Sequence, residues 1–207
     1  MRISLEGPVP YGCVGVLELR YVSAMEAGRL LREGQVGLVP TETVVGLVAG
    51  EGGLSRLYEI KGRSHNKPIA LLCGSTEEAF ALPEKVPPLA LALGDRFWPG
   101  PLTLVLDAGG GGTVGVRVPE HPVVQEVLAG YGGALYATSA NLSGEPAPRA
   151  LEDVDPVVCA AVNFAVRGEP GTGEASAVVN LSEGQTHLLR STKRLDEIEL
   201  SRLGSQA

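Results

Sequence analysis

Between Ser23 and Gly34 the apolar residues fall on one helical face and the polar residues on the other. Ser23 with Glu26 three residues later has the form of a capping box, and Gly34 supplies a stop, so the spacing predicts a helix over 23–34. Val36 to Val39 is then a short apolar run halted by Pro40, which predicts a strand, and helical spacing resumes from Leu54 to Lys61. The stretch between them reads as connection, carrying Pro40-Thr-Glu-Thr43 and the glycines at 46, 50, 52 and 53.

Similar signals continue to the end of the chain. Ile69 to Leu72 predicts a buried strand, Ser75-Thr-Glu-Glu78 opens a helix, and Pro87-Pro88 begins another that reaches Arg96. Leu102 to Leu106 and Val114 to Val118 predict strands, and the four glycines 109–112 between them permit a hairpin turn. Pro122 to Leu128 reads as a short helix, Leu135 to Ala140 as a strand and Asp153 to Ala161 as a helix. Strands follow at 162–166, 177–181 and 187–189, before a charged helix from Arg194 to Leu203. Strands and helices interleave, yet several strand pairs are joined by loops too short for a helical crossover. The class implied is α/β with a mixed sheet, as a single domain over 1–207. Its core spans about 14–203, with a short N-terminal extension and a loose C-terminal end.

Composition narrows the classes. The 28 glycines and 15 prolines exceed ordinary usage, but 44% hydrophobic residues suffice for a substantial core, which excludes disorder, collagen and coiled coil. Seventeen Lys and Arg against 24 Asp and Glu leave a charge of −7, which argues against a general nucleic-acid coat but leaves room for one local basic pocket. Cys13, Cys73 and Cys159 are odd in number, far apart and without CxxC spacing, so neither a disulfide framework nor a zinc site is expected, and a reducing cytoplasm fits. No apolar run predicts a signal peptide or a membrane span.

Four constellations could carry chemistry. Lys61-Gly-Arg-Ser-His-Asn-Lys-Pro68 holds three cations and no acid, suited to a polyphosphate, although composition alone favours a solvated basic turn. Pro40-Thr-Glu-Thr-Val-Val-Gly-Leu47 packs hydroxyls and a carboxylate between apolar stretches, where they cap a turn or enter a polar cleft; Thr41 and Thr43 share a parity along an extended chain. Thr138-Ser-Ala-Asn-Leu-Ser-Gly144 follows a strand directly, as ligand-crevice residues or as an Asx or Ser turn. Arg117 and Arg190 sit inside apolar strands, where a guanidinium needs an anion, from the protein or from a ligand. No Walker loop, GxGxxG or Gly-x-Ser-x-Gly is present, and His65, His121 and His187 lack metal-ligand spacing, with His121 before Pro122 reading as a turn residue. Covalent catalysis has little support, which leaves positioning and charge stabilisation of a phosphate substrate.

In order along the chain, Pro40-Thr-Glu-Thr-Val with Gly46-Leu47, Lys61-Gly-Arg63 with Lys67-Pro68, Phe97-Trp-Pro-Gly-Pro-Leu-Thr103, Val116-Arg-Val-Pro119 with His121-Pro122, Ser139-Ala-Asn-Leu-Ser-Gly144, Ala175-Ser176 with Val178-Val179, and Leu189-Arg190 resemble the YrdC-type domain of the L-threonylcarbamoyladenylate synthase family. The resemblance implies an open, twisted sheet with flanking helices and a large concave basic cleft. It implies an enzyme condensing L-threonine, bicarbonate and ATP, with Mg2+, into threonylcarbamoyl-AMP and pyrophosphate. The product would be handed to a tRNA threonylcarbamoyl transferase system, and weak tRNA or RNA binding is a further implied partner. Thr43, Arg117 and Ser176 match positions for threonine; Lys61, Arg63, Ser139, Asn141 and Arg190 match positions for ATP, with Lys61 and Arg63 as the catalytic pair facing the cleft. Two other readings are a catalytically weakened RNA-binding relative and carbamoyl-adenylate chemistry on a different amine. The chain departs from the family pattern at Val39 and Val45, where aromatics are usual, and at Ala177 and Asn180, where a hydroxyl and a carboxylate are usual. The tyrosine replaced by Val45 would leave a larger amino-acid pocket. The chain also ends about where such a domain ends, without the extra C-terminal domain of longer family members.

Overall fold

In a computed structural model of the chain, residues 19–64 and 67–205 are described. The expected extension before Val14, the core residues 14–18, Cys13, His65 and Asn66 lie outside them. The described chain begins with β1 (Tyr21–Val22), α1 (Ala24–Arg32), β2 (Val36–Val39), β3 (Gly46–Ala49), α2 (Leu54–Lys61), β4 (Ala70–Leu72), α3 (Thr76–Ala81) and α4 (Pro88–Phe97). It continues through β5 (Leu102–Ala108), β6 (Gly112–Arg117), α5 (Pro122–Tyr131), β7 (Leu135–Ser139), α6 (Pro156–Ala161), β8 (Phe164–Val166), β9 (Ala177–Asn180), β10 (His187–Arg190) and α7 (Glu197–Gly204). The strands form one mixed, ten-stranded sheet in the order β1-β8-β2-β3-β7-β4-β6-β5-β9-β10.

Local chemistry explains most boundaries. Ser23 and Ser75 accept hydrogen bonds from the Glu26 and Glu78 amides, as N-caps do. Gly62 and Gly132 end α2 and α5 in the left-handed conformation. The glycine run turns the β5–β6 hairpin, with Gly110 and Gly111 at positive φ. His121 accepts the Val123 amide and caps α5, in keeping with a turn role. Two strands differ from expectation. Gly46–Ala49 is no loop but the central strand β3, pairing antiparallel with both β2 and β7. Its four residues are all buried, so it shows no alternation to read. β1 is a two-residue edge strand beside β8. The last helix starts at Glu197, where Asp196 caps it, rather than at Arg194.

The two faces of the sheet are covered unequally. On one, side chains of α2 and α6 join Leu38, Leu47 and Ala49, and those of α3, α4 and α7 join Leu102, Leu104, Val116 and Val179, so helices span its width. On the other, α1 and α5 pack over Phe164 and Val166 of β8, Val39, Val48, and the near ends of β7 and β4 at Leu135 and Leu72. Over β6, β5, β9 and the remainder of β7 and β4 no helix packs among the described residues, and a cavity of about 540 Å³ lies there. A cleft thus results from the covering helices running out before the sheet does.

α1 and α5 approach so closely that a Cβ on Gly28 would stand 2.3 Å from the Gly130 carbonyl carbon. Gly28→Val should therefore lower stability by about 1–3 kcal/mol through overpacking. Gly109→Val, where nothing lies within 4 Å, should change it by less than about 0.5 kcal/mol. Equilibrium urea unfolding of the two variants checks the difference.

Candidate functional site

The open half-face is built in rows, because residues paired across neighbouring strands point the same way. Leu72 pairs with Arg117, the register of β5 and β6 sets Arg117 opposite Thr103, Thr103 pairs with Val178, and Val178 with Arg190. Two guanidiniums from sequence-distant strands are thereby brought into one row. A second row, two residues along the strands, holds Ala137, Ala70, Gly115, Val105 and Asn180. The first row is charged and the second is small and flat.

Arg117 is 7% exposed, and it is neutralised by Glu42 at 2.6 Å. Its Nε donates to the Gly100 carbonyl, and Nη2 also donates to Thr43 Oγ1 at 3.0 Å. An arginine can only donate, and Thr41 donates to the Val44 carbonyl, so Thr43 donates to Thr41. A directed chain of hydrogen bonds runs from the guanidinium through both hydroxyls to the backbone. The two threonines do share a side, but through this turn rather than through extended parity. The Glu42 carboxylate answers the need of Arg117 for an anion, although its buried Oε2 has no hydrogen-bond partner among the described residues.

Arg190 meets no carboxylate among the described residues. Its Nε donates to the Ser176 carbonyl and Nη2 to Ser176 Oγ, which is 2.9 Å from Thr103 Oγ1. Burial and then the nearby Arg117 charge pull its pKa below the ordinary arginine value. Two like charges held this way favour an anion between them.

Lys61 differs from its expected orientation. It is 5% exposed and does not line the cavity; its ammonium donates to the Ser139 and Asn141 carbonyls and to both their side chains at 2.6–3.4 Å. Rather than facing the cleft, Lys61 fastens the loop after β7 from beneath. Asn141 is likewise off the cavity wall, held by Lys61 and by its own amide donation to the Leu142 and Glu145 carbonyls, whereas Ser139 lines the cavity. Burial, and then the Arg63 charge, lower the Lys61 pKa from 10.5 to about 8. Arg63 does reach the cavity with Lys67, its guanidinium donating to the Lys67 and Pro68 carbonyls.

The loop between β8 and β9 closes the Thr41–Thr43 end. The amides of Thr172 and Gly173 donate to the carbonyls of Glu42 and Thr43, and a Cβ on Gly171 would lie 2.4 Å from the Thr43 oxygen. Three of the four departures do not open the site: Val39, Val45 and Ala177 are fully or nearly fully buried in the core, away from the cavity. The larger amino-acid pocket expected from Val45 is therefore not formed at that position. Asn180 alone of the four lines the cavity. Thr103 lay within a quoted motif without a role; its signal was a single hydroxyl between Leu102 and Leu104 on a strand. Thr113 also lines the cavity and carried no distinguishing pattern. Cys73 and Cys159 are buried, and burial pushes the Cys73 thiol up to about 12, which suits neither nucleophile nor redox role.

A family model named for Sua5, YciO and YrdC, and described as telomere recombination, matches residues 29–192. The chain belongs to the Sua5/YciO/YrdC family. Among its relatives, a threonylcarbamoyl-AMP synthase of Pyrococcus abyssi is 36% identical over 187 residues, 84% of this chain and 55% of that protein. A Mycobacterium tuberculosis protein named putative threonylcarbamoyl-AMP synthase is 33% identical over 194 residues, 86% of this chain and 88% of its own. The chain thus spans about half the length of the first relative and most of the second. The crystal structure of P. abyssi Sua5 complexed with L-threonine superposes with a TM-score of 0.79 at 29% identity, over 90% of this chain and 61% of that one. This family fold agrees with the expected α/β class, twisted mixed sheet and flanking helices.

The lowered Lys61 pKa has a calculable sign. Between pH 8 and 10.5 the unfolded chain holds a proton that the folded one has released, so this group's contribution makes stability rise with pH there. Urea titrations across that window should give wild type a slope more positive than Lys61→Met by up to about 1.4 kcal/mol per pH unit.

Proposed function

We propose that the chain condenses L-threonine, bicarbonate and ATP into threonylcarbamoyl-AMP and pyrophosphate. The supporting observation is the row that places Arg117 and Arg190 on either side of Thr103, with a single carboxylate, Glu42 on Arg117, for the two cations. The name of the P. abyssi relative and the threonine in the P. abyssi Sua5 structure agree with the reading.

In this reading Arg117, Thr43 and Ser176 hold the amino acid. Both guanidiniums use Nε and Nη2 on the protein, and Nη1 of each takes no partner among the described residues, leaving it for carboxylate or phosphate oxygens. Arg63, Ser139 and Arg190 face the nucleotide, and Lys61 with Asn141 sets the Ser139 loop from behind. Bicarbonate takes up a proton and loses water to give carbon dioxide, and the neutral threonine amine adds to it and releases a proton, leaving a carbamate. A carbamate oxygen then attacks the α-phosphorus, and the bond from that phosphorus to the α,β-bridging oxygen breaks as pyrophosphate leaves. The protein supplies position and positive charge, so no side chain forms a covalent bond.

No three described His, Cys, Asp or Glu side chains converge to hold a metal ion. Glu42, the carboxylate beside Arg117, is engaged by it. Magnesium in this scheme comes as part of the nucleotide substrate, carried on its phosphates and neutralising their charge. A transferase acting on tRNA adenosine is the natural consumer of the product, and the cytoplasm its place. No described helix is long and apolar enough to cross a membrane.

Incubation with ATP, magnesium and bicarbonate, with each amino acid in turn, should release pyrophosphate and yield an adenylate of the threonylcarbamoyl mass with threonine alone. Turnover with another amine and none with threonine overturns the substrate assignment. RNA binding with steep salt dependence and no turnover overturns the enzyme. Arg190→Ala should raise the KM for ATP about 10- to 150-fold, the loss of about 1.5–3 kcal/mol from a charged hydrogen bond.

A further inference from the structure

The second row of the open face has no part in the chemistry above. Ala137, Ala70, Gly115 and Val105 lie side by side on β7, β4, β6 and β5, and all line the cavity. Gly115 must stay small, since its Cβ would lie 3.1 Å from the Ala70 methyl. The row is a shallow apolar floor, about 6.6 Å from the cationic row by the rise of two strand residues. At its end stands Asn180, paired across the sheet with Val105.

The orientation of the Asn180 amide follows from its neighbours. Oδ1 accepts both the Ser182 amide, at 3.0 Å, and the Ser182 hydroxyl, at 2.8 Å. The carbonyl edge is therefore occupied, and Nδ2, two N–H donors on a cavity-lining residue, takes no partner among the described residues. A floor of small apolar side chains, bordered by a donor, is complementary to a planar heterocycle with a nitrogen acceptor on its edge. The charged tail of such a ligand then falls on the cationic row.

We infer that this floor seats the purine of ATP and that Asn180 Nδ2 donates to a ring nitrogen, which makes Asn180 a base-recognition residue. The inference deepens the proposed function and rests on it for the identity of the nucleotide. A carboxylate at this position could only accept, so the amide exchanges an anion for a donor where the base arrives.

Direct titration of ATP in the absence of amino acid tests it, with circular dichroism melts to certify folding. Asn180→Ala should bind ATP about 5- to 10-fold more weakly, as the loss of one neutral hydrogen bond implies. Wild type should lose a similar factor on one of 1-deaza-, 3-deaza- or 7-deaza-ATP, and the variant should lose nothing further on that same analogue. Tripolyphosphate, lacking the base, should bind both proteins equally. An Asn180→Ala protein that binds ATP as wild type does, or one that weakens tripolyphosphate by the same factor, overturns the inference, as does wild type that binds no nucleotide. Base-dependent ATP binding without pyrophosphate release overturns the synthase reading and leaves this one standing, and turnover with Asn180 neutral does the reverse.

Discussion

A ten-stranded sheet has two faces to bury, and in this protein helices suffice for one and a half. The five helices α2, α3, α4, α6 and α7 occupy one face, while α1 and α5 occupy half of the other. The rest of that second face must be made tolerable to water without a covering layer. It is made so by hydroxyls, guanidiniums and small residues in place of the leucines and valines that serve the other side. Within β9 the alternation is explicit: Ala177 and Val179 enter the core, and Val178 and Asn180 face the cavity with the preceding Ser176. The site is therefore a direct consequence of where the helices end.

The same constraint decides what the sequence could reveal. Helix starts were legible because capping is local: Ser23, Ser75, Pro88 and Pro122 act within a few residues of themselves. The β5–β6 hairpin was legible because its glycines are contiguous. β3 was not, because a strand buried on both faces looks uniformly apolar, and its flanking glycines resemble a loop. The motifs come from segments that converge, since Thr43, Ser139, Arg63, Arg117, Ser176 and Arg190 all reach one cavity. Their division of labour was not legible. Lys61 and Arg63 are two residues apart, yet one is fastened beneath the β7 loop and the other opens to the cleft. Rows such as Arg117, Thr103 and Arg190 depend on register between strands far apart in sequence, which no local pattern encodes.

The hydrogen bonds around the two arginines show why hydroxyl residues recur there. A guanidinium buried in a strand has five donors to satisfy, and a single carboxylate accepts only some of them. Arg117 uses Glu42, a carbonyl and Thr43; Arg190 uses a carbonyl and Ser176. Threonine and serine accept from the arginine while passing their own proton to a further acceptor, as Thr43 does to Thr41. They fix the fork without neutralising it. Carboxylates in their place would cancel the charge that a phosphate substrate requires, so hydroxyls are the partners that reconcile burial with a free positive field.

That field has an energetic consequence for the protein itself. With one acid for two guanidiniums, the site holds an uncompensated repulsion, which adds to burial in lowering the pKa of Arg190. An anion relieves it, and since the unfolded chain has no such row, the relief appears as added stability of the folded state, scaling as RT ln(1 + [L]/Kd). The small row beside it contributes no repulsion and little favourable energy until a ring covers it. Charge and apolar floor thus lie within one triphosphate's reach of each other. On the proposed reading, the half-face left bare by the helices is completed by a nucleotide, whose base and phosphates supply the cover that a further helix supplies elsewhere.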